Sequence, residues 1–223
     1  MAERRRTTAM NVTVIGAGNM GRGLGHVLVR GGHSVTVVDW DPEEAARLAE
    51  ELREAARGGA TVEAEAPGAE LRGEIVIPAV YYPSTLEAAR GLGEELEGKV
   101  VVDISNPVNQ NFDGPATEPG TSAAEELAAA VPAGARVVKA FNTTFAGTLV
   151  EGQVAGQPLD VFIAGDDEGA REIVARLARD GGLRPVDVGP LERARHLEGM
   201  GFLHMMSQQP LGAGFASAVK VIS

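Results

Sequence analysis

The sequence predicts an α/β fold: a doubly wound, mostly parallel sheet followed by a small C-terminal α/β extension. Three observations carry this. Short β-branched runs alternate with stretches of helical periodicity along almost the whole chain. The first run, Asn11-Val12-Thr13-Val14-Ile15, breaks into Gly16-Ala17-Gly18-Asn19-Met20-Gly21 and continues as a helical pattern. Hydrophobic residues make up 44% of the chain but aromatics only 4%. The core must therefore come mainly from Val, Leu, Ile and Ala, as in sheets buried on both faces.

Taken in order, residues 1–10 are expected to be a flexible tail, because the charged Glu3-Arg4-Arg5-Arg6 precedes no apolar run and Met10 directly precedes the first strand. Residues 11–145 form a dinucleotide-binding unit of the Rossmann type, opening with a strand, a tight turn and a helix. Gly16 permits the turn, Gly18 lets a pyrophosphate approach the backbone, and Gly21 lets the helix pack close. Met20, Leu24, Val27 and Leu28 share one helix face, which Gly31-Gly32 terminates. A second strand, Ser34-Val35-Thr36-Val37-Val38, delivers Asp39. A carboxylate about twenty residues beyond such glycines accepts hydrogen bonds from ribose hydroxyls. Asp41 caps the next helix, Pro42 suits its first turn, and Gly58-Gly59 stops it.

Residues 61–66 alternate in character as a third strand, 67–73 form a connector, and 74–80 are a fourth strand. Pro78 lies near its carboxyl end, where one lost ladder donor does least harm. A helix over 84–96 and the apolar strand Val100-Val101-Val102-Asp103-Ile104 follow. Residues 105–121, rich in Asn, Pro, Gly and Thr, are a long loop of the kind that carries function. Ser122 and Glu125 have capping-box spacing at the start of a short helix to 130, and 136–140 is a sixth strand. Residues 146–223 are the extension: strand 160–164, helix 167–179, strand 184–188 and a last helix over 191–208. This part is expected to complete the acceptor site and to supply a dimer contact. Ligands in such sheets bind beyond the carboxyl ends of the strands. One crevice therefore gathers Gly16, Gly18, Asn19, Met20, Gly21, Asp39, Trp40, Pro78, Ala79, Asn106, Pro107, Asn142 and Thr143.

The composition narrows the partners. A formal charge of −11 and a pI near 4.9 repel nucleic acid and anionic membranes. The absence of cysteine removes disulfides, thiolate metal sites and thiol nucleophiles. No apolar stretch approaches a transmembrane helix and no signal-peptide hydrophobic region is present, so a cytoplasmic protein is expected. No metal site is expected either, because no His-x-x-x-His pair or carboxylate cluster stands out.

No side chain is assigned as a catalyst. Lys139, Tyr81 and Tyr82 stand close to the crevice, but a lysine within a strand is read as structural. His26 and His33 are read as packing or surface residues. His196 and His204, on the last helix with Leu197, Met200, Leu203 and Met206, are read as packing on the body or on a partner. A nicotinamide site without a clear general acid fits direct hydride transfer to a second redox cofactor, which needs two rings held together with water excluded.

The chain resembles the NADPH:coenzyme F420 oxidoreductase family along nearly its whole length. The resemblance rests on Val14-Ile15-Gly16-Ala17-Gly18-Asn19-Met20-Gly21, Val137-Val138-Lys139-Ala140-Phe141-Asn142-Thr143, Ala164-Gly165-Asp166-Asp167 and Gly182-Leu183-Arg184-Pro185-Val186-Asp187-Val188-Gly189-Pro190-Leu191. It implies hydride transfer between a nicotinamide and a deazaflavin in a cytoplasmic homodimer. By position, it implies that Gly16, Gly18, Asn19, Met20 and Gly21 hold the pyrophosphate. Pro78-Ala79 would lie under the nicotinamide, and Asn106-Pro107 with Asn142-Thr143 would border the deazaflavin. One departure bears on the cofactor: NADP-using members are expected to carry a hydroxyl residue and an arginine after the second strand, where this chain has Asp39-Trp40-Asp41. Two carboxylates repel a 2′-phosphate, so among NAD(P)(H) a preference for NAD(H) is expected. Arg47 is the nearest cation, with a helix-surface ion pair as its expected role. Coenzyme F420 carries an anionic tail, for which Arg184, Arg193, Arg195 and Lys220 are the basic residues able to converge. Other readings stay open: another acceptor (a flavin, quinone or carbonyl compound), a non-catalytic dinucleotide-binding redox sensor, and a metalloreductase module of the kind fused to a membrane haem domain.

Overall fold

The β-branched segment β1 (Asn11–Ile15) lies inside the sheet, hydrogen-bonded in parallel to β2 (Ser34–Val38) on one side and β4 (Ile75–Pro78) on the other. The computed structural model describes residues 8–222. The tail expected over residues 1–10 therefore lies largely outside the described residues, but Met10 is buried and its N–H donates to His33 Nδ1 at 3.2 Å. The order continues with α1 (Asn19–Arg30), α2 (Pro42–Ala55), β3 (Val62–Glu65), α3 (Ser84–Leu92), β5 (Val100–Asp103), α4 (Ala123–Ala130) and β6 (Arg136–Lys139). Then come α5 (Ala146–Glu151), β7 (Gln153–Val154), β8 (Gln157–Pro158), β9 (Asp160–Gly165), α6 (Glu168–Asp180), β10 (Arg184–Gly189), α7 (Ala194–Met206) and α8 (Gln208–Leu211).

One eight-stranded sheet runs β10-β9-β6-β5-β4-β1-β2-β3. From β3 to β6 all neighbours are parallel; β9 joins β6 antiparallel through Val138–Gly165 and Lys139–Ala164, and β10 is parallel to β9. This is the doubly wound, mostly parallel α/β architecture of the Rossmann type, with the C-terminal part continuing the same sheet. The carboxyl ends of β1, β2, β4, β5 and β6 consequently open on one crevice.

Burial on both faces follows the period of two. Ile75 and Ile77 point into the larger core with Val100, Val102, Leu24, Leu28, Leu52, Leu149 and Leu177, whereas Val76 and Val101 point into a second core with Leu86, Leu96 and Leu127 under α3 and α4. Each fully buried Leu of this kind stabilises the fold by about 1.5–3 kcal/mol. A third cluster seats α7 on the C-terminal strands through Phe162, Ala164 and Leu197. The expected helix over 84–96 is α3 followed by a 3-10 turn at Gly93–Leu96, and the expected helix over 191–208 divides into a 3-10 turn, Leu191–Arg193, and α7. The 105–121 loop carries no strand or helix beyond an isolated bridge between Val108 and Pro115. Among the described residues no helix is long and apolar enough to cross a membrane.

Candidate functional site: the dinucleotide crevice

The glycine turn is held from two directions. Gly16 has φ +111°, and its N–H donates to the Val38 carbonyl at 2.7 Å. A Cβ at Gly16 would stand 2.6 Å from the Ala79 oxygen, and one at Gly21 would stand 1.9 Å from the Gly16 oxygen. The turn thus fits between the end of β4 and the first turn of α1 only without those side chains. Gly18 faces open space. It is also the N-cap of α1, which starts with no side-chain cap and no acidic residue in its first turn. By contrast Asp41, Ser122 and Asp167 cap α2, α4 and α6, each with acidic first turns. An anion such as a pyrophosphate fits the open backbone N–H groups and partial positive charge at α1, next to exposed Asn19 and half-buried Met20.

Asp39 is tied to that turn. Its Oδ2 accepts the Ala17 N–H at 2.7 Å and its Oδ1 accepts the Asp41 N–H at 2.9 Å, while Asp41 Oδ1 accepts the Glu43 N–H at 2.9 Å as the cap of α2. A carboxylate has about four acceptor positions, so Asp39 keeps capacity for ribose hydroxyls after making these bonds. Trp40, the only tryptophan, is 87% exposed beside it. Arg47 pairs with Glu44 on the surface of α2, in line with the role expected for it.

At the other end of the crevice, Pro78 and Pro107 are buried, and Ala79 and Asn106 are half-buried. Asn106 Nδ2 donates to the Asn142 carbonyl at 2.7 Å; Asn142 Nδ2 donates to Asn106 Oδ1 at 2.9 Å and to the Leu197 carbonyl at 2.8 Å. The two side chains named from sequence thus meet, and Asn142 fastens α7 to the pair. Buried Thr143 offers its carbonyl to His204 Nδ1 at 3.2 Å. A carbonyl only accepts, so His204 carries its proton on Nδ1, and burial pushes its pKa down. His196 is exposed, so the two histidines of α7 do not share one packed face.

Lys139 is fully buried, and its Nζ donates to Asp103 Oδ2 at 2.7 Å, the Ser105 carbonyl at 2.6 Å and Glu198 Oε1 at 2.8 Å. All three ammonium donors are used, which is the structural role expected for this lysine. Glu198 also accepts the N–H groups of Ala123 and Ala124 at the start of α4; burial raises its pKa against the pull of Lys139. Sequence reasoning did not find Glu198. The one available signal is that a lysine inside an apolar strand demands carboxylates, which names no partner. Tyr81 is 91% exposed, whereas Tyr82 donates its hydroxyl to Glu126, with burial first and that carboxylate second raising the phenol's pKa. The four basic residues able to converge do not form one cluster: Arg184 and Lys220 meet on Asp160, Arg195 binds Glu125, and Arg193 donates to the Val188 carbonyl.

Known proteins resemble this chain in sequence and fold. The family model described as NADP oxidoreductase, coenzyme F420-dependent, matches residues 11–107. An F420-dependent NADP reductase from Methanocaldococcus jannaschii is 32% identical over 167 residues, covering 70% of this chain and 72% of that protein. The metalloreductase STEAP3 of Rattus norvegicus is 34% identical over 190 residues, 85% of this chain but 36% of that protein, so the chain spans about a third of its length. The crystal structure of a candidate F420-dependent NADP-reductase from Arthrobacter sp. FB24 superposes with a TM-score of 0.82 at 28% identity, covering 96% of this chain and 100% of that one. The chain belongs to the coenzyme F420-dependent NADP oxidoreductase family and is a pyridine-nucleotide oxidoreductase.

Proposed function

We propose that this chain transfers a hydride between NAD(H) and a second ring-shaped acceptor, coenzyme F420 or a similar deazaflavin or flavin. The observation that carries the reading is the uncapped N-terminus of α1 opening on the same crevice as the Asn106–Asn142 pair. In this reading Gly16, Gly18, Asn19, Met20 and Gly21 hold the pyrophosphate, Asp39 takes the ribose hydroxyls, and Trp40 covers the adenine side. Pro78 and Ala79 lie against the nicotinamide; Asn106, Pro107, Asn142 and Thr143 border the acceptor. When bound, the dihydronicotinamide supplies the hydride, and the acceptor takes it together with a proton from solvent. The protein's own share is orientation and exclusion of water, which explains why no general acid is needed at the rim.

NAD(H) is preferred over NADP(H) in this reading because Asp39, Asp41 and Glu43 follow β2 where a 2′-phosphate would sit, the nearest cation, Arg47, is already paired with Glu44, and like charges brought together cost several kcal/mol. Titration with NADH and NADPH, followed by the emission of Trp40, tests it. NADH should bind at least about tenfold more tightly. Asp39→Asn, which keeps an acceptor for the Ala17 N–H, should narrow the gap; tighter NADPH binding by the parent chain would overturn the preference. A cytoplasmic homodimer completes the reading, with exposed Leu203, Met206, Leu211 and Phe215 as its contact. The 34% identity to a metalloreductase favours one other use of the same site, electron delivery for metal-ion reduction. Reduction of a ferric chelate by NADH and this chain, without an added ring acceptor, would select it.

A further inference from the structure

Beside Asn106 a cleft of about 180 Å³ opens between the 105–121 loop and α7, with Pro107, Val108, Pro115, Pro119 and Phe202 among its walls and Glu118, Glu198 and Arg195 as its charged groups. Sites that enclose a drug-sized ligand run to roughly 300–1,000 Å³. This one therefore covers part of a flat ring and leaves whatever is attached to that ring outside. Arg195 is held by Glu125. On the far side of that ion pair lies a second cleft of about 530 Å³, whose charged walls are Glu125, Asp166 and Glu192.

Most of the basic residues in this part of the chain are already paired with carboxylates: Arg184 and Lys220 are bound to Asp160, and Lys139 is enclosed by Asp103, Ser105 and Glu198. Arg193, beside Glu192 in the sequence, donates to the Val188 carbonyl and does not line either cleft. Exposed Glu118 and Glu192, by contrast, face solvent at the two clefts, in a chain of net charge −11. An anionic group on the acceptor would meet carboxylates without a free cation to offset them among the described residues lining these clefts.

We propose that the acceptor is a compact, uncharged ring compound, and that the two clefts select against acceptors carrying an anionic tail. This rests on the hydride-transfer reading above and narrows its acceptor. Each turnover consumes one NADH and one proton and yields NAD⁺ and the ring reduced by two electrons.

The test is steady-state reduction by NADH of two acceptor pairs, each matched in ring and different in tail: riboflavin against FMN, and the 8-hydroxy-5-deazaflavin riboside core against coenzyme F420. Rates are taken at low and high NaCl, where exposed charges are unscreened and screened, and NADH binding is measured separately by calorimetry. At low salt kcat/KM should be at least about tenfold higher for the uncharged member of a pair, and the gap should shrink at high salt. Glu192→Lys should narrow it as well. A tailed acceptor that is preferred at low salt, or equal rates within each pair, overturns this proposal and leaves hydride transfer standing. If NADH binds and none of the four compounds is reduced, the hydride-transfer reading itself falls and takes this inference with it.

Discussion

Asp160 is buried, yet its carboxylate is fully occupied. It accepts from Arg184 Nε at 2.7 Å, Lys220 Nζ at 2.8 Å and the Val221 N–H at 2.9 Å, so it fastens the C-terminal segment to the start of β9. Burial alone would raise its pKa, but these donors outweigh it and lower the value from 3.8 to about 2. A carboxyl depressed on folding stabilises the native state above its unfolded pKa, and that contribution fades as pH falls from 3.8 toward about 2. The full effect is about 2 kcal/mol. Urea unfolding measured across this acid range should show the loss in the parent chain. Asp160→Asn should be less stable at neutral pH and have a flatter acid limb; an unchanged acid limb would show that the carboxylate is not coupled to folding. Such contacts differ in how far sequence reveals them. Asp103 and Lys139 are register partners on adjacent strands, legible as opposite charges ending consecutive runs. Glu198, 59 residues from Lys139, is brought to it only by the packing of α7.

At the scale of elements, α1 and the turn before it behave as one piece because Gly21 touches Gly16. Gly21→Ala would place a methyl 1.9 Å from a backbone oxygen, which no rotamer change relieves. The expected outcome is a displaced α1 N-terminus, with nucleotide affinity reduced by at least about tenfold and a loss of about 1–3 kcal/mol in stability. Gly18→Ala, which meets open space in the free protein, should retain the stability. Calorimetric titration with NADH and thermal unfolding of both variants check this; wild-type affinity in Gly21→Ala would show that the contact is dispensable. The glycine turn was readable because its residues act locally. So were β1, β2, β5 and β6, whose apolar runs leave no alternative to a buried strand. The segment α5 was not readable, since six residues containing Gly147 and Thr148 give no helical period. The β7–β8 hairpin pairs only two residues per strand. The direction of β9 escaped for another reason: alternating strand and helix patterns specify neighbours, and the residues between β6 and β9 leave enough chain for either sense.

The whole molecule couples the expected nucleotide unit to the extension more tightly than a boundary near residue 145 implies. β9 is hydrogen-bonded to β6, and one core holds Leu24, Val27 and Leu28 of α1 against Leu149, Val161, Ile163, Val174 and Leu177 from beyond that boundary. Arg30 adds hydrogen bonds from the end of α1 to the carbonyls of Leu149 and Val150 at 2.9 and 3.0 Å. Opening either part alone would bare the other's apolar side, and the transfer cost of roughly 25 cal/mol per Å² makes a half-folded state unfavourable. The chain should therefore unfold in a single step. In differential scanning calorimetry one peak is expected, with calorimetric and van't Hoff enthalpies equal, and NADH should move that whole peak upward although the proposed nucleotide contacts lie before residue 145. Two peaks, of which only the first responded to NADH, would show instead that residues 11–145 fold independently and that the shared core is too weak to bind the two parts into one cooperative unit.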